Sequence, residues 1–263
     1  MVRQRSEKMI EKSFEEIFEE LARHNDRSII WNNWLEYVID VNLLKLEPEN
    51  KEEFKKKYYG NEESYVELMG AWLNELTVRL ETYPYYDMLG EFYEELIQSK
   101  SKKSSLGQAY TPPSVTNLLS EICIDNDKNY INKIANDPAC GSARTLLSAH
   151  VQSQGEIFVM GADLDRTSCL MAVANLFSQG CRGSILHMDT LEQTFYEGWR
   201  INKYLYHGIP IPHIEIINNP DEAYDFIELH RFNNKTINDS KKDNKKVEVV
   251  ESPVKPSGQT TLI

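Results

Sequence analysis

The stretch Asp137-Pro138-Ala139-Cys140-Gly141-Ser142-Ala143 constrains the fold more than any other in this chain. It follows a short apolar run, Ile131 to Ala135, and precedes a segment in which Leu146, Leu147 and Val151 recur at helical spacing. Strand, tight loop and helix in that order form the repeating unit of a Rossmann-like α/β sandwich. An aspartate at the strand end can accept hydrogen bonds from an amino group. Gly and Ser let the backbone pass close to a ligand and leave N–H groups free at a helix start. An ordinary strand-to-helix connection has the same outline, so the neighbouring sequence must decide between the two.

The first hundred residues read as helices. Ile10, Phe14, Ile17, Phe18 and Leu21 recur at helical spacing between glutamates, and Trp31, Trp34, Leu35, Val38 and Ile39 make a second such face. Pro48 and Asn50 interrupt the pattern before the charged segment KEEFKKKYY. A longer helix starts near Asn61, placed as an N-cap, and carries Tyr65, Leu68, Met69, Trp72, Leu76 and Leu80 until Pro84 ends it. A further helix spans Asp87 to Ser99. Aromatics at this spacing are core rather than a platform for stacking bases. The product is a helical N-terminal domain over residues 1–103, joined by a lysine-bearing linker (Lys100, Lys102, Lys103) to an α/β core over residues 104–230. Residues 231–263 are polar, poor in apolar side chains and read as a disordered tail.

Three more strings bear on the α/β core. Leu106-Gly107-Gln108-Ala109-Tyr110-Thr111-Pro112-Pro113 is a turn feeding a helix with Val115, Leu118, Leu119 and Ile122. Ile157 to Asp165 is a β-rich run ending in Asp163-Leu164-Asp165, where an acid at the end of a second strand can accept from ribose hydroxyls and Asp165 can cap the next helix. Ser184 to Leu191 is a third strand, ending in Asp189-Thr190-Leu191. His187 lies inside that strand and reads as packed rather than catalytic.

Together these strings resemble the S-adenosylmethionine (SAM)-dependent N-6 adenine DNA methyltransferases, most closely the modification subunits of type I restriction systems. DPACGS resembles motif I, GQAYTP resembles motif X, GADLD resembles the family's G-x-E-I-D and MDTL its G-D-T-L, in the family's order. The resemblance implies an α/β, Rossmann-like SAM-dependent methyltransferase core preceded by a helical domain. It further implies SAM as cofactor, held by Tyr110, Thr111 and Pro112 at the methionine end and by Asp137, Ala139, Gly141 and Ser142 in the loop. Asp163 would then meet the ribose and Asp189 the adenine amino group. For catalysis the family uses N-P-P-Y or N-P-P-F after a fourth strand, and the candidate here is Asn218-Asn219-Pro220-Asp221-Glu222-Ala223-Tyr224 after His213 to Ile217. The implied catalytic residues are Asn219, Pro220 and Tyr224, although Asp221 replaces the second proline and the aromatic is displaced.

Composition narrows the partners. The formal net charge of −12 predicts weak, salt-sensitive binding of DNA by the chain alone, with a specificity or partner subunit supplying recognition. Cys123, Cys140, Cys169 and Cys181 form no CxxC pair, which predicts neither a metal site nor a disulfide framework and fits a cytoplasmic setting. No apolar run is long enough for a membrane span, and the N-terminus lacks the apolar stretch of a signal peptide. Site-specific DNA adenine-N6 methylation is the leading expectation, in a restriction-modification or mobile-element context. A catalytically inactive SAM-binding accessory or regulatory protein is the alternative. A different small-molecule Rossmann enzyme is disfavoured by the lack of a GxGxxG element near the first strand.

Overall fold

The computed structural model describes residues 12–44, 51–97, 111–125, 129–131, 133–206, 209–224 and 260–262. Helix α1 (Phe14–Ala22) opens on a capping box, with Ser13 Oγ accepting from the Glu16 amide and the Glu16 side chain accepting from the Ser13 amide. Helix α2 (Arg27–Val41) is capped by Asp26, which accepts from the Ser28 and Ile29 amides. Helices α3 (Lys51–Lys57) and α4 (Glu62–Leu80) follow. Asn61 holds the N-cap position of α4 without a side-chain cap bond. The short α5 (Met88–Phe92) continues into a π-helical turn, Tyr93–Ile97.

The aromatic periodicity is explained by burial. Trp31, Trp34 and Trp72 are completely or almost completely enclosed, and Phe14 stacks on Phe92 with centroids 4.4 Å apart. Residues of these helices and of the α/β region belong to one continuous buried cluster.

Helix α6 (Pro113–Cys123), β1 (Ile134–Asp137), α7 (Arg144–Gln152), β2 (Phe158–Asp163), α8 (Arg166–Ser178) and β3 (Gly183–Asp189) form the expected alternation. β1, β2 and β3 are adjacent and parallel, in the register Asp137↔Gly161 and Asp163↔His187, so their carboxyl ends share one edge of the sheet. β4 (Thr194–Ile201) then turns back antiparallel to β3. A small hairpin, β5 (Leu205–Tyr206) and β6 (Ile209–Pro210), leads to β7 (Ile214–Ile217), which is antiparallel to β4. The last described strand, β8 (Thr260–Leu262), pairs parallel with β1. The six-stranded order is therefore β7-β4-β3-β2-β1-β8. Those three residues stand in the sheet although the sequence there reads as a polar tail; their backbone groups complete the ladder on the open side of β1.

The helical region closes the opposite side. The Leu44 amide donates to the Ile214 carbonyl at 2.7 Å, and the Ile214 amide donates to the Asn42 carbonyl at 3.0 Å. The chain leaving α2 thus occupies hydrogen-bonding groups that an edge strand otherwise exposes. Nearby, Arg166 at the start of α8 bridges Glu36 of α2 and Glu197 of β4, at 2.6 and 2.5 Å. Among the described residues no helix is long and apolar enough to cross a membrane.

His150, in the last turn of α7, couples this packing to pH. Burial, with a smaller push from the Arg182 charge, lowers its imidazole to about 4. An unfolded chain takes up this proton near pH 6.5, the folded protein only near 4. The stability contributed by neutral His150 is complete above pH ~6.5 and is lost as pH falls toward 4. Between pH 7 and 5 the loss is expected to be about 2 kcal/mol. Urea unfolding at both pH values should show this difference in the wild type, and His150→Gln should remove that share of it. An equal pH dependence in both proteins would refute the assignment.

Candidate functional site

The loop after β1 is built from an unusual backbone course. Asp137, 8% exposed, accepts from the Ala139 amide at 3.1 Å through Oδ1 and from the Thr145 hydroxyl through Oδ2. Gly141 takes φ +54° and Ala143 φ +73°, a left-handed conformation that an alanine adopts at a cost on the order of 1 kcal/mol. Ala143 is fully buried and serves as N-cap of α7 without a side-chain bond. Burial pushes the Asp137 carboxyl up, against the pull of Thr145 and the Ala139 amide.

This loop is tied sideways to the end of β2. The Gly141 amide donates to Asp163 Oδ2 at 2.9 Å, and the Asp165 amide donates to Asp163 Oδ1, also at 2.9 Å. Asp165 caps α8 as expected, accepting from the Thr167 and Ser168 amides. At the end of β3, Asp189 Oδ1 accepts from the Leu191 and Glu192 amides, both at 2.9 Å. His187 does not reach toward these carboxylates. Its Nε2 lies 3.2 Å from the Leu164 carbonyl and its ring packs on Tyr196.

Three aspartates, Asp137, Asp163 and Asp189, therefore stand at the ends of three adjacent parallel strands, over a width of about 10 Å at ordinary strand spacing. Thr111 and Pro112 are also brought to this region. The Thr111 carbonyl accepts from Arg144 Nη1 at 2.8 Å, and Pro112 is the N-cap of α6. Tyr110 lies outside the described residues.

The Asn219–Pro220 turn stands apart from these three strand ends. β7 ends at this edge of the sheet, but β4, β3 and β2 separate it from β1, a span of about 19 Å. Asn219 is engaged locally: Nδ2 donates to Glu222 Oε1 at 2.6 Å and Oδ1 accepts from the Glu222 amide at 3.2 Å. These bonds close the 3₁₀ turn Pro220–Tyr224. Arg200 Nη2 and Ser184 Oγ then pin the Glu222 and Ala223 carbonyls against the sheet. An Asn-Pro sequence here makes a structural turn. The backbone of Tyr224 belongs to that turn, and its side chain lies outside the described residues.

Sequence reading missed Asp87, which is 5% exposed and accepts from Ser142 Oγ (2.6 Å), Arg144 Nε (2.9 Å), Asn175 Nδ2 (2.7 Å) and the Gly90 amide (2.9 Å). The one local signal was an Asp three residues before a Gly at a helix start. Among the described residues no cluster of three or more His, Cys, Asp or Glu side chains could hold a metal ion.

Parallel strands alternating with helices, with acids at successive strand ends beside a tight loop, define a Rossmann-like α/β architecture. The chain belongs to the N-6 DNA methylase family, whose model matches residues 85–256. No curated protein matches it. A solved structure similar to it is the type I restriction-modification system methyltransferase subunit from Streptococcus thermophilus, at 22% identity and a TM-score of 0.29. That match covers 51% of this chain and 26% of that one.

Proposed function

We propose that the chain binds SAM along the carboxyl ends of β1, β2 and β3 and serves methylation of adenine N6 in DNA. The observation that carries this reading is the row of Asp137, Asp163 and Asp189 beside the tight loop, in a member of the N-6 DNA methylase family. The acceptor inventory fits such a ligand. A carboxylate offers about four acceptor positions, and each Asp163 oxygen is engaged by a single amide. Capacity remains for two ribose hydroxyls. Asp189 Oδ2 is open to an adenine amino group, since both amides converge on Oδ1. Thr111, Pro112, Ala139, Gly141 and Ser142 would surround the methionine end, with the start of α6 favouring its carboxylate. When bound, SAM supplies the methyl group; the residues named here bind it, orient it and exclude water.

DNA enters this reading through the family, and the acidic charge predicts that the chain alone holds it weakly. Binding of unmethylated duplex should fall steeply with added salt, and tight sequence-selective binding at physiological salt would contradict this. Sequence recognition is assigned to a partner subunit. Titration calorimetry with SAM and its demethylated product should show saturable binding, and no heat at millimolar ligand would end the proposal. Transfer from labelled SAM to unmethylated DNA, with and without native host lysate, tests the reaction.

A second reading, SAM binding without transfer by this chain, is favoured by the position of Asn219. With ribose at Asp163 and methionine at Thr111, the methyl group lies between the ends of β2 and β1. Asn219 is then about 14 Å or more away, whereas transfer needs the amino nitrogen about 3 Å from the methyl carbon. Asn219→Ala is expected to leave SAM affinity within about twofold of wild type, since none of its bonds touches the donor loops. If wild-type protein transfers methyl groups and Asn219→Ala abolishes this, the turn is catalytic after all. Surviving transfer would locate the base-binding loop elsewhere.

A further inference from the structure

We infer that Asp87, outside the strand ends that carry the proposed SAM site, is a positioning residue that sets the shape of that site. The inference rests on the donor-site reading above. Asp87 is the N-cap of α5, the last described α-helix before the α/β region, and its carboxylate is sealed from solvent. Four donors converge on it from three separate stretches of chain: the Gly90 amide, Ser142 of the β1 loop with Arg144 at the start of α7, and Asn175 of α8. Two bonds extend the network. Arg144 Nη1 reaches the Thr111 carbonyl, and Asn175 Nδ2 also donates to the Ser142 carbonyl at 2.9 Å.

A single carboxylate thus fixes the loop expected to pass beside the methionine end and, through Arg144, the turn expected to cap it. The left-handed Ala143 lies between Ser142 and Arg144, so both residues flanking the strained position are held by Asp87. That arrangement keeps the loop in a conformation it does not favour alone. Gly90 is part of the device. A Cβ there would stand 2.3 Å from Asp87 Oδ2, so the carboxylate occupies the space a side chain would take. Charge-assisted hydrogen bonds are stronger than neutral ones, and removing a buried acceptor leaves its donors unsatisfied.

The test uses the full chain. Asp87→Asn keeps the shape and removes the charge; Gly90→Ala keeps the charge and displaces the carboxylate. SAM affinity is measured by calorimetry, and amide hydrogen exchange is followed by mass spectrometry. Both variants are expected to bind SAM about tenfold or more weakly than wild type, with faster exchange at 139–145 and 111–116 and unchanged exchange across α1 and α4. Ser142→Ala, which removes one of the four bonds, should shift affinity in the same direction by less. Wild-type affinity in Asp87→Asn would overturn the inference. So would a loss in which α1 and α4 exchange as fast as the loop, because the residue would then be only structural. Failure of wild-type protein to bind SAM would instead overturn the donor-site reading.

Discussion

On the proposed donor site, Asp163→Ala is expected to weaken SAM binding by about 3 kcal/mol, roughly 150-fold in Kd, because two hydrogen bonds from ribose hydroxyls to the carboxylate would be lost together. The demethylated product should lose affinity by the same factor, since the ribose is common to both. The variant also frees the Gly141 and Asp165 amides, which share this carboxylate at 2.9 Å each. Asp163→Asn separates the two effects. Its amide oxygen can satisfy one backbone donor while the charge is gone, so its affinity should fall between wild type and Asp163→Ala. Calorimetric titrations of the three proteins make the comparison. Equal affinity in all three would show that ribose does not sit at the end of β2.

Trp34→Ala is expected to lower the unfolding free energy by about 4 kcal/mol, the scale of emptying a buried tryptophan site. Trp34 has no exposed surface and its ring meets Phe14 at 5.1 Å, Trp31 at 5.8 Å and Trp72 edge-on at 5.8 Å. These neighbours belong to α1, α2 and α4, so no single helix can shift to fill the space. The opposite side of α2 carries Glu36 to Arg166 and Asn32 to Thr167, which links the loss to α8. Trp34→Phe should cost much less, because a ring still meets Phe14 and Trp72. Urea denaturation measures both, and a loss below about 1 kcal/mol in Trp34→Ala would mean that the aromatic cluster is not the core of this region.

What could be read from sequence was local. Asp137 to Ala143 and Asp163 to Asp165 carry their strand, turn and cap signals within a few residues, and the structure has β1, α7, β2 and α8 there. The aromatic faces of α2 and α4 were legible for the same reason. β4 was not. Thr194 to Ile201 mixes aromatics with Glu197, Gly198 and Arg200, and it folds back on β3 through the turn at 190–193, with a register shift at His187/Met188. Passing over it made His213 to Ile217 read as the fourth strand, whereas β4 lies between β3 and β7 in the sheet. Asp87 was hidden because its donors are scattered along the chain and only folding gathers them. β8 joins the sheet from far along the chain by backbone pairing with β1, which leaves little mark on side-chain pattern.

The closure of the β7 edge by Asn42 to Leu44 has a consequence for synthesis. A ribosome delivers the helical region first, and its aromatic cluster can begin to collapse while the rest is still being made. Yet the chain leaving α2 must keep its carbonyl and amide uncommitted until Ile214 emerges, long after Asp87 has awaited Ser142, Arg144 and Asn175. The nascent protein therefore carries an unpaired segment from the emergence of Leu44 until that of Ile214, and a solvated carboxylate from Asp87 until Asn175 appears. Completion is governed by pairings between distant stretches, the slow class of contact. Release before Ile214 has left the exit tunnel should yield a chain with formed helices, an unsealed edge and a tendency to self-associate.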